Sequence, residues 1–85
     1  MSVKQVDKKA LKVQYLLPKT KLKEVRRLKK VTTAEIAKII GVSREHYEKK
    51  EAGKYPFQDY EMILISQELG EEVSNLFFLN INISN

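Results

Sequence analysis

The chain has no cysteine, one histidine, three glycines and two prolines in 85 residues. Without cysteine it can form neither a disulfide nor a thiolate metal site, a composition that fits a reducing cytoplasm. A lone histidine, His46, falls short of the three or four ligands a metal site needs, so it reads as a surface polar residue. No metal and no cofactor are expected. There is no glycine-rich phosphate loop and no pair of acids with a plausible cleft, so the chain reads as a non-enzyme without a small-molecule substrate. No apolar run approaches the ~18 residues of a membrane span. Lys4, Lys8, Lys9 and Lys12 break up the N-terminal segment, which lacks the apolar stretch of a secretory leader. These absences lead to the expectation of a cytoplasmic protein with no membrane partner.

What is present is charge, unevenly spread. All 16 Lys and Arg lie between Lys4 and Lys54, against six acids in that stretch, a balance of +10. Residues 55–85 hold five acids and no base, a balance of −5. A basic front and an acidic back suggest one face that meets a polyanion, nucleic acid ahead of a membrane surface. The plainer alternative is a solvated basic surface.

The patterning predicts helices for most of the chain. Leu22, Val25 and Leu28 space a buried stripe over residues 20–30, with Thr20 as a candidate cap. Thr32-Thr33-Ala34-Glu35 has the form of a capping box, and Ile36, Ala37, Ile39 and Ile40 follow as an apolar face. Gly41 stops that helix, and Ala37 and Gly41 are the small residues expected where it touches the next. Ser43 caps a further helix over residues 44–50, whose main inward residue is Tyr47. A strongly apolar helix follows Pro56 and Phe57, carrying Tyr60, Ile63, Leu64 and Leu69 up to Gly70. A short last helix carries Val73, Leu76 and Phe77. Tyr47, Phe57, Tyr60 and Phe77 read as core aromatics rather than base-stacking platforms.

The two ends are read differently. Leu11, Val13, Tyr15 and Leu17 alternate with Lys12 and Gln14, and Leu79, Ile81 and Ile83 alternate with polar residues. Both segments read as short strands, although Val6, Ala10, Val13 and Leu17 also fit a helical stripe. Pairing of the two strands, within one chain or between two, competes with a helical arm and with an unstructured lysine-rich one. The expected organisation is an extension over 1–19, a helical domain over 20–78 and a tail over 79–85.

Helix, short glycine-containing turn, second helix is the helix-turn-helix pattern, in which the second helix fits a DNA major groove. Leu22-Lys23-Glu24-Val25-Arg26, Thr32-Thr33-Ala34-Glu35-Ile36-Ala37, Ile40-Gly41-Val42-Ser43-Arg44 and Glu51-Ala52-Gly53-Lys54 carry the resemblance further. With Pro56-Phe57, Glu61, Ile65, Leu69-Gly70 and Leu76-Phe77 they resemble the lambda repressor and Cro type of helix-turn-helix domain, the XRE family, over about residues 20–78. That resemblance implies an all-α bundle of five helices with room for flanking strands. It also implies a small transcriptional regulator, a repressor before an activator, that binds a double-stranded DNA operator as a homodimer. The Lys, Ile and Asn usage adds the expectation of a phage or other mobile element as its source. The competing reading is a helix-turn-helix module that binds protein and no specific DNA.

Residue by residue, the resemblance assigns base contacts to Arg44, Glu45 and Lys49. Arginine pairs bidentately with guanine and glutamate accepts from cytosine. It assigns phosphate contacts to Ser43, His46 and Lys54, and to Thr33 in place of the family's longer glutamine. Arg26 and Glu51 match the family's buried ion pair between the first and third helices. Lys50 departs from the pattern, which has an apolar residue before the glutamate.

Overall fold

The computed structural model describes residues 16–78, which fold as an all-α bundle of five helices with no strand among the described residues. They are α1 (Thr20–Leu28), α2 (Thr33–Ile40), α3 (Arg44–Glu51), α4 (Asp59–Leu69) and α5 (Val73–Phe77). The strands expected over 11–17 and 79–84 fall almost wholly outside the described residues; Leu16 and Leu17 are in neither helix nor strand.

The helix ends follow local chemistry. The Thr32 hydroxyl oxygen accepts the Glu35 backbone N–H at 3.1 Å and donates its proton to the Glu35 carboxylate at 3.1 Å, closing the start of α2. Ser43 does the same work for α3, accepting the His46 N–H at 3.1 Å. Between these helices Gly41 has φ 76°, a left-handed value that an L side chain adopts at a cost of about 1–2 kcal/mol. A Cβ placed on Gly41 would meet nothing within 4 Å. The glycine therefore serves the backbone angle; the expected close contact between helices falls on buried Ala37 alone.

The core unites Leu22 and Val25 of α1, Ile36, Ala37 and Ile40 of α2, Tyr47 of α3, Ile65 and Leu69 of α4, and Leu76 and Phe77 of α5. Phe57 joins it edge-on between Tyr47 and Phe77, with ring centroids 6.0 and 5.0 Å away. The central α2 packs on α3 and α4, α5 packs on α1 and α4, and α1 closes against α3.

Four details differ from the sequence reading. α1 ends at Leu28, and Lys30 takes a left-handed φ of 58°, so the helix does not reach residue 30. Leu28 then points away from the bundle at 74% exposure. Thr20 is the first helical residue and not the cap; Lys19 occupies that place without a side-chain capping bond. Tyr60 and Ile63 are 59% and 51% exposed, because α4 turns Glu61, Ile65 and Leu69 to the core and no described helix covers its opposite face.

Candidate nucleic-acid interface

α3 has the sequence REHYEKKE, with a single apolar-bodied residue to bury. Its inward face is Tyr47, Lys50 and Glu51, all buried. Such charges are tolerated in an interior only when they are paired and hydrogen-bonded. Arg26 of α1 meets Glu51 in a bidentate pair, Nε to Oε2 at 2.8 Å and Nη2 to Oε1 at 3.1 Å. Its remaining Nη1 donates to the Val31 carbonyl at 3.0 Å. The Tyr47 hydroxyl donates to the same Glu51 carboxylate at 2.7 Å. These hydrogen bonds to Glu51 hold the Arg26 guanidinium above its ordinary pKa, against the opposing effect of burial. Burial, then the adjacent Glu51 charge, pushes the Tyr47 phenol strongly upward.

A second buried pair ties α3 to α4. Lys50, 4% exposed, donates from Nζ to Glu61 Oε1 at 2.8 Å and to the Pro56 carbonyl at 2.9 Å. Glu61 also accepts the Gln58 N–H at 2.8 Å. The residue that breaks the apolar pattern is thus the one that replaces an apolar contact with an ion pair. No buried side-chain nitrogen or oxygen among the described residues lacks a hydrogen-bond partner.

With α3 clamped from both sides, its other residues face outward. Arg44, Glu45, His46, Glu48 and Lys49 are all exposed. Ser43 lies at the head of this face, its oxygen committed to the helix cap and its proton free to donate. Arg44 reaches back to Glu48 one turn on, Nε to Oε2 at 3.9 Å. That contact is long and solvated, and leaves the guanidinium available.

Thr33 has a more specific occupation. Its hydroxyl donates to Glu48 Oε2 at 2.7 Å, joining the start of α2 to the middle of α3. The phosphate-contacting residue implied by the resemblance is therefore, in this structure, a tie between the two helices. His46 also has a neighbour that the sequence did not suggest: its ring stacks on Tyr55 at 5.2 Å between centroids, 13° from parallel. Lys49 Nζ lies 6.0 Å from the same ring. Lys54 is exposed in the turn after α3, held through its backbone N–H to the Lys49 carbonyl at 2.8 Å.

The structure thus gathers Ser43, Arg44, Glu45 and Lys49 on one outward helix face and sets Thr33 against it through Glu48. His46 turns toward Tyr55. Glu48 and Tyr55 escaped the sequence reading. The four-residue spacing from Arg44 to Glu48 signals the first; nothing in the local pattern signals the second. No family model of known proteins matches the chain, and no curated protein matches it in sequence. Among the described residues no helix is long and apolar enough to cross a membrane, and no group of three or more His, Cys, Asp or Glu could hold a metal ion.

Proposed function

We propose that the protein binds double-stranded DNA at specific sequences, as a small transcriptional regulator that represses from the cytoplasm. The observation that carries this reading is the division of α3. Its inward residues are locked to α1 and α4 by two buried ion pairs at 2.8 Å, while Arg44, Glu45 and Lys49 stand exposed beyond a capped N-terminus. A helix presented in this way fits the B-DNA major groove with its first turn toward the base edges. Arg44 pairs with guanine O6 and N7, Glu45 accepts from a cytosine amine, and Lys49 reaches a base edge one turn further along. Ser43 and Lys54 donate to phosphates on either side, with His46 at the edge. The resemblance of residues 20–78 to lambda repressor and Cro domains supports the same assignment. It extends the proposal to a homodimer on two half-sites about 34 Å apart.

Selection from a random duplex pool tests this directly. The expected result is an enriched, palindromic sequence, with Arg44→Ala losing about 1–3 kcal/mol and its preference at one base position. A pool without enrichment, or an Arg44→Ala variant with unchanged affinity and preference, would remove the assigned face. One observation favours the alternative, a helix-turn-helix that binds protein. The outward face of α3 carries Arg44 and Lys49 against Glu45 and Glu48, so it is electrically neutral. A neutral face draws little from the phosphate field that dominates DNA affinity.

A further inference from the structure

The neutral face of α3 raises the question of where attraction to a polyanion would originate. Two of the described cations, Arg26 and Lys50, are buried and spent on Glu51 and Glu61. The largest group left is on and beside α1: six further bases over residues 19–30 against the single acid Glu24. Lys21 is the base within reach of that acid, at 3.7 Å. Lys23 and Arg27 have no ion pair or side-chain hydrogen bond, and both are exposed. They are four residues apart, so they lie on one face of α1.

That face opens on a groove of about 490 Å³ between α1 and the α2–α3 unit. Lys19, Thr20, Lys23 and Arg27 line one wall, and Thr33 and Glu48 stand on the other. Lys19 is a third cation of the groove, held in place at its ammonium. Its ammonium donates to the Leu17 carbonyl at 2.8 Å, and desolvation lowers its pKa. Glu51, at the groove floor, is answered by Arg26 and Tyr47, while Glu48 accepts the Thr33 hydroxyl and meets Arg44 only at 3.9 Å. With Arg26 and Glu51 cancelling, the groove keeps Lys19, Lys23 and Arg27 against Glu48, an excess of positive charge.

We infer that this groove is a second binding surface, which takes the phosphodiester backbone of the duplex next to the segment read by α3, with Lys23 and Arg27 each answering one phosphate. The inference rests on the DNA-binding reading and deepens it: α3 reads sequence with little net attraction, and α1 supplies the attraction without reading sequence. Groove and reading face share Glu48 and Thr33, so a single strand can run from one to the other. An acidic protein segment could meet the same two charges. The groove's continuity with the helix face that carries Arg44 and Glu45 favours nucleic acid.

The test is a salt titration of full-length protein on a random-sequence 30-base-pair duplex and on the enriched duplex. Lys23→Gln/Arg27→Gln is compared with wild type and with Lys29→Gln/Lys30→Gln, which removes equal charge outside the groove. Each phosphate neutralised adds about 0.9 to the slope of log affinity against log salt. The groove variant is therefore expected to lose about two units of slope on both duplexes, with the same base preference and an unchanged thermal midpoint. The Lys29/Lys30 variant should lose under half a unit, and Lys23→Arg/Arg27→Lys should retain the full slope. Equal slopes for the groove and Lys29/Lys30 variants would overturn the inference and leave the DNA reading standing. So would polyglutamate that binds wild type through Lys23 and Arg27, failing to bind the groove variant, and leaves both duplexes bound to wild type. Wild-type protein that binds no duplex even at low salt would overturn both.

Discussion

The two faces of α3 use the same residue types and obey different rules. Inward, Lys50 and Glu51 join Tyr47; outward, Arg44, Glu45, Glu48 and Lys49 join His46. The inward charges meet partners on other helices at 2.8 Å and are almost dry. Of the outward ones, Arg44 and Glu48 meet along the helix at 3.9 Å, with side chains 60% and 46% exposed. Coulomb attraction grows as the local dielectric falls, and so does the penalty for a charge left alone. One face of the helix is therefore committed to holding the fold, and the other is free to bind. Adjacent residues in the chain fall under opposite regimes, and Lys49 and Lys50 mark the boundary.

The largest expected effect comes from removing the acid at the centre of the inward face. Glu51→Met strands the Arg26 guanidinium and the Tyr47 hydroxyl at once, so its cost belongs at the upper end of the ~3–5 kcal/mol typical of a broken buried pair. Arg26→Met leaves Glu51 with Tyr47 still donating and should cost less, about 3 kcal/mol. Urea unfolding midpoints measure both. A Glu51→Met protein as stable as wild type would mean that the inward pair does not hold α3 to α1.

Next comes the boundary itself. Lys50→Met removes two hydrogen bonds and leaves Glu61 buried with one backbone donor, at an expected ~3 kcal/mol. Lys49→Met, one residue earlier, should shift stability by no more than about 0.5 kcal/mol, as exposed substitutions do. Equal costs for the two lysines would erase the contrast between the faces.

Much of this arrangement was legible in the sequence, and the part that was not has a common cause. The caps at Thr32 and Ser43 and the stop at Gly41 depend on bonds within a few residues, and the string shows them. The Arg26–Glu51 pair spans 25 positions and was visible only through a family resemblance. Lys50 stood out as a break in the apolar pattern, but its partner Glu61 lies 11 residues on, in another helix, and no local rule joins them. Leu28, Tyr60 and Ile63 were misjudged in the opposite sense. Apolar density along α1 and α4 signals a buried stripe, yet which residues are covered depends on how many neighbours a helix has. The same limit applies to the binding face: the string shows that residues 43–49 are rich in charge, whereas the tie from Thr33 to Glu48 depends on how α2 and α3 cross.

Tyr47 tests the inward face by pH. Its pKa is raised above the ordinary 10.0 by burial first and the Glu51 charge second. Above pH 10 the unfolded chain releases the phenolic proton and the native state keeps it, so the native state binds more protons and stability falls as pH rises. Below pH 10 the contribution is whole. Tyr47→Phe should cost about 1.5 kcal/mol at neutral pH, the lower end for a hydrogen bond to a charged group, because Glu51 keeps Arg26. The gap between wild type and Tyr47→Phe should be flat from pH 6 to 9 and close above pH 10. A gap that instead widened in alkali would mean that the phenolate is accommodated beside Glu51.

The smallest effect separates the outward face from a purely solvated one. Thr33 and Glu48 are joined at 2.7 Å across two helices, although both are accessible to water. Water competes for each group, so the net worth of the bond should be about 0.5 kcal/mol, at the low end for a protein hydrogen bond. In a domain of this size that corresponds to about 2–4 °C in thermal midpoint. The way to isolate it is a double-mutant cycle with Thr33→Val and Glu48→Ala. Glu48→Ala also removes the contact to Arg44, but that loss appears in both arms of the cycle and cancels. Thr33→Val should lower the midpoint in the wild-type background and leave it unchanged when Glu48 is already alanine. If the two changes are additive, the tie contributes nothing to the crossing of α2 and α3, and the threonine hydroxyl is as free as that of Ser43 to donate to a phosphate.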